Sequence, residues 1–255
     1  MQTQNRKFIL YQLFVQVVIC ALYVFGLINV LIDAGQEGGI EGLLVPAVKY
    51  GPFLVVLVCS ILPQASLLIK HKLHSQDGEI LPILFTIVAL QASMIVTDAL
   101  EALGYYFEFP FHLLVFQRFS LAATACLFLL SALRYFGFSS SHIGLYNFVF
   151  LAIPFFISAI IPVSSYHGET TITSSLYDAY LQAAIAIVYL VEITTFIIMA
   201  VKDKTVLNIK RSIAFILLSI GNYFCLFNEI WSAVISPVFY VIGTVILVNN
   251  AGDSL

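Results

Sequence analysis

SIAFILLSIGNYFCLFNEIWSAVISPVFYVIGTVILVN, residues 212–249, is almost uninterrupted apolar sequence. As a single helix it would run about 57 Å at 1.5 Å per residue. That is nearly twice the hydrocarbon thickness of about 30 Å that a bilayer offers. The stretch therefore has to fold back, and Asn228-Glu229 is the polar break near its middle. It reads as two spans, 212–227 and 230–248, joined by a tight turn. Working outward, six further apolar runs precede it, at 8–32, 52–69, 80–103, 112–134, 143–163 and 176–201. The first run is too long for a signal-peptide core and lacks a small-residue cleavage site, so it reads as a retained span.

The charges between these runs are sorted by side. Nine of the eleven Lys and Arg residues (Arg6, Lys7, Lys70, Lys72, Arg134, Lys202, Lys204, Lys210, Arg211) flank alternate junctions. The remaining junctions carry acids: Asp33, Glu37 and Glu41, then Glu108, Glu169 and Glu229. Cytoplasmic loops retain Lys and Arg, so this alternation sets both spans and direction. The expected fold is an all-α polytopic transmembrane bundle, one domain over 1–255, with eight spans and both termini cytoplasmic. Seven spans with a re-entrant end is the alternative. The expected location is a plasma or inner membrane, with the lipid bilayer as surroundings.

Composition agrees with a bilayer. Hydrophobic residues make up 61% of the 255 and charged residues 10%, against roughly 25% charged in a soluble domain. The net charge of −3 and the absence of a dense basic cluster argue against nucleic acid. Cys20, Cys59, Cys126 and Cys225 fall inside apolar runs, and neither they nor the five histidines have metal-ligand spacing. There is no HExxH, GxSxG, phosphate-binding loop or dinucleotide fingerprint. No catalytic residue, metal or cofactor is assigned.

Charges inside a membrane cost roughly 2.5–3.5 kcal/mol each at a span centre, so function is sought there. The third run places Ile87, Gln91, Met94, Asp98 and Glu101 on one helical face that turns acidic toward the outside. Arg118, beside Gln117 in the fourth run, is at comparable depth and is expected to pair with Asp98 or Glu101. Two carboxylates would then face one guanidinium. With Glu108 and Asp178 nearby, an acidic outer vestibule would attract a small or cationic ligand. A second seam runs through Asp178, Gln182, Ile185, Tyr189 and Glu192. Glu192 is the deepest acid and has no cation near it in sequence. Low dielectric disfavours its charged form, which leaves it a proton site or a neutral hydrogen-bond donor, with Asn222, Ser219 and Gln64 as available mates.

The aromatic cluster 105–111 fits an interfacial belt better than a ligand lid. Three functions are compatible with these residues. The foremost is a sensory or receptor-like membrane module, joined to a cytosolic signalling domain or partner. The second is a small-solute or proton-coupled transporter or channel. The third, an intramembrane enzyme using Asp98, Glu101 and Glu192 in acid–base chemistry, has the least support.

Overall fold

The structure, a computed structural model, describes residues 2–70, 86–87, 89–105, 111–135, 143–160, 176–225, 227 and 229–250. Regular structure among the described residues is entirely helical. The elements are α1 (Gln2–Lys70), a 3₁₀ turn (Ser93–Ile95), α2 (Val96–Ala102), α3 (Phe111–Tyr135), α4 (Ile143–Ile160), α5 (Leu176–Lys202), α6 (Val206–Phe224) and α7 (Ile230–Asn250). The expected junctions at 71–79, 106–110, 139–141 and 164–175, residues 251–255 and Asn228 lie outside the described residues, as does the start of the third run.

α1 is two helices folded against each other. Gly39, at φ 59° and ψ −142°, breaks it, a backbone conformation that residues with a Cβ rarely adopt. The Tyr23 hydroxyl donates to the Tyr50 carbonyl at 2.8 Å, 27 residues away. In a straight helix those residues would be about 40 Å apart. The acidic junction between the first two runs is therefore a break at a single glycine between two helical arms, 2–38 and 40–70. Their approach needs glycine a second time, because a Cβ on Gly42 would lie 2.3 Å from the Ala34 carbonyl oxygen.

The stretch 212–249 does fold back. α6 ends at Phe224, and Ser232 at the start of α7 bonds to Glu229 on both its amide and its carbonyl, at 3.3 and 2.7 Å. The two helices pack through glycines. A Cβ on Gly221 would sit 3.0 Å from the Ser236 carbonyl oxygen, and one on Gly243 2.8 Å from that of Ala214. Between α5 and α6 the chain turns in three residues. Thr205 caps α6 by accepting from the Asn208 amide, and the Asn208 side chain donates to Asp203 at 2.5 Å.

The helices close a ring. α1 packs on α7, α7 on α6, α6 on α5 and α5 on α3, and the 3₁₀ turn joins α3 back to α1 and α2. α4 packs on α3 outside the ring. The faces are the reverse of a water-soluble protein. Phe14, Leu22, Phe148, Leu190 and Val234 are exposed, whereas Gln16, Gln91, Glu192 and Ser219 are buried. Large apolar patches on the outside mark a surface meant for something other than water. Three helices among the described residues are long and apolar enough to cross a membrane: Leu10–Leu62, which contains the Gly39 break, Ala179–Lys202 and Ile230–Asn249.

Candidate functional site

The ring interior holds a hydrogen-bonded polar cluster. Gln91 donates from Nε2 to Asn222 Oδ1, and Asn222 donates from Nδ2 to the Tyr189 hydroxyl. One turn away on the same two helices, the Ser219 hydroxyl donates to Glu192 Oε1. Glu192 is fully buried, and its Oε2 has no hydrogen-bond partner. Tyr240 of α7 approaches Ser60 of the second arm at 3.5 Å between hydroxyls. Helical spacing explains the assembly: Tyr189 and Glu192 are three residues apart on α5, as are Ser219 and Asn222 on α6, so each pair shares a face. Ile185 is buried on the same face, while Gln182, expected in that seam, is exposed.

A second cluster joins the hairpin to α2. Asp98 accepts from Lys49 Nζ at 2.8 Å and from the Tyr50 hydroxyl. The ammonium also stands 4.8 Å from the centre of the Tyr50 ring. Both charged side chains are about one-third exposed, Lys49 at 37% and Asp98 at 31%. Among the described residues the ion pair on Asp98 is thus made by Lys49, where the sequence suggested Arg118. The turn at Gly39 is what carries Lys49 back beside Asp98. Arg118 is buried and not free. Glu101, half-buried on the next turn of α2, is near enough to feel the charges of both Asp98 and Lys49.

Gln91, Asn222 and Glu192 are thus brought into one region, and Asp98 and Glu101 into another. Asp98 and Glu192 have separate sets of partners. Asp178 lies on α5, but its side chain and those of Gln117 and Gln64 are outside the described residues. Sequence reasoning overlooked Lys49, Tyr50, Ser120 and Thr124. Lys49 carried a signal, since it is a cation at a junction that otherwise holds acids. Among the described residues, no group of three or more His, Cys, Asp or Glu side chains is arranged to hold a metal ion. Comparisons of the chain with protein-family models, with curated proteins and with solved structures find no match.

Proposed function

We propose that the chain is a single eight-span membrane domain with both termini cytoplasmic, acting as a sensory or receptor-like module in a plasma or inner membrane. One observation carries the reading. A single helical segment bears Asp98 of the outer ion pair and Gln91 of the buried network, with the 3₁₀ turn Ser93–Ile95 between them. Such an interruption within a helix often marks a hinge. A cationic ligand arriving from outside would compete with Lys49 for Asp98 and Glu101. Releasing Lys49 would loosen the hairpin from α2. The change would then pass through the 3₁₀ turn to Gln91, Asn222 and α6, and on to a cytosolic domain or partner.

A proton-coupled transporter is the second reading, and the buried Glu192 with its unpartnered Oε2 favours it. Ser219 has one hydrogen for two acceptors, Glu192 Oε1 and the Phe215 carbonyl at 2.7 Å. A protonated Glu192 would supply the second hydrogen. Reconstitution in proteoliposomes carrying a pH-sensitive dye separates the readings. A sensor shows no net proton flux in the wild type or in Glu192→Gln. Steady substrate-dependent flux that disappears in Glu192→Gln would reject the sensor and establish the transporter.

A further inference from the structure

We infer that the cavity where Gln91 meets α3 and α6 is a binding site for one internal water molecule, which donates a hydrogen bond to Gln91 Oε1. Four parts of the chain line it: Gln91 comes from the third run, Ser120 and Thr124 from α3, Asn222 from α6 and Phe53 from the second arm of α1. The cavity volume is about 10 Å³, close to the space that a single water needs. Gln91, Thr124 and Asn222 are each at least nine-tenths buried, so bulk solvent does not serve them. Gln91 commits its amide nitrogen to Asn222, while its Oε1 has no hydrogen-bond partner. A buried carbonyl oxygen of this kind calls for a donor.

The lining offers both kinds of partner. Asn222 Nδ2 carries two hydrogens and gives one to the Tyr189 hydroxyl, which leaves one to donate. Thr124 donates its hydroxyl hydrogen to the Ser120 carbonyl at 2.8 Å and keeps lone pairs on Oγ1 that can accept. Buried waters make about two to four hydrogen bonds, and one donor with two acceptors meets that need. A mixed lining suits water, which donates and accepts, better than an ion, which answers only one of the two. A bridging water is enthalpically nearly as good as a direct hydrogen bond. Here it ties the third run to α3 and α6 just before the 3₁₀ turn Ser93–Ile95. The site does not depend on the sensory reading, and the flux experiment with Glu192→Gln leaves it untouched.

The test is an experimental density map of the wild-type full chain in which waters on other buried polar groups are resolved, determined once in NaCl and once in choline chloride. The expected result is one peak about 2.5–3.0 Å from Gln91 Oε1, present equally in both salts. Gln91→Met removes the acceptor and keeps an unbranched side chain, and it should abolish the peak. An empty cavity in the wild type overturns the site, as does a protein donor on Gln91 Oε1. A peak that is lost in choline marks a cation and overturns the water, and a peak that survives in Gln91→Met removes Gln91 from its binding. The two wild-type maps decide the matter even if the methionine variant does not fold.

Discussion

At the scale of single residues, the structure distinguishes charges that are paired at the edge of the bundle from polar groups sealed inside it. Lys49 and Asp98 are partly exposed, so their attraction is screened and contributes about 1 kcal/mol or less. Lys49→Met and Asp98→Asn should each lower Tm slightly, and the double variant should lose less than the sum. A double-mutant cycle on purified protein reads this directly, and strict additivity would remove the pair from the account. The inner cluster is less forgiving. Asn222→Leu strands both Gln91 and Tyr189, and a buried polar group left unsatisfied costs about 1–3 kcal/mol. It should therefore destabilise more than either outer single variant in the same melts. Much of this cluster was legible in the sequence. Glu192 needed a partner at its depth, Ser219 and Asn222 were polar residues at matching depth in span seven, and Ser219 is the one bonded to it. Lys49 was not legible as the partner of Asp98. Its position depends on where the hairpin turns, and an acid- and glycine-rich stretch with four glycines does not say which one takes the positive φ.

At the scale of elements, glycines decide how closely helices meet. Gly243→Ala would push a methyl group toward the Ala214 carbonyl oxygen, 2.8 Å away, and Gly221→Ala toward that of Ser236 at 3.0 Å. Each neighbour is backbone, which yields little, and overpacking of this kind costs about 1–3 kcal/mol. Gly39→Ala adds strain at a positive φ, also about 1–3 kcal/mol. Gly38 is the control. It is helical with open space around its Cβ position, so Gly38→Ala should leave stability unchanged or raise it through helix propensity. Comparing the four alanine variants in one thermal-melt series checks the helix packing, and a destabilising Gly38→Ala with a harmless Gly243→Ala would reverse it. The fold-back of residues 212–249 was readable because a helix of that length exceeds any bilayer. The 3₁₀ turn was not, since Ser93, Met94 and Ile95 break no apolar period and carry no Pro or Gly.

At the scale of the whole molecule, the ring of helices presents apolar side chains outward and gathers Gln, Ser, Asn and Glu inward. A bilayer explains both faces, because lipid tails cover the outside and buried polar groups must satisfy one another. The proposed direction rests on the charges. Lys202, Lys204, Lys210 and Arg211 cluster at the α5–α6 junction, while Glu229 sits in the turn between α6 and α7 and Glu37 and Glu41 beside Gly39. If the basic junction is cytoplasmic, the two acidic turns face outside. The direct measurement is cysteine labelling in sealed cells, with Cys20, Cys59, Cys126 and Cys225 replaced and single cysteines introduced at Gly38, Thr205 and Glu229. A membrane-impermeant maleimide should label Gly38→Cys and Glu229→Cys from outside, and Thr205→Cys only after permeabilisation. Labelling of Thr205→Cys in sealed cells, or protection of Glu229→Cys there, would contradict the proposed orientation and with it the proposal of an outward-facing ligand site.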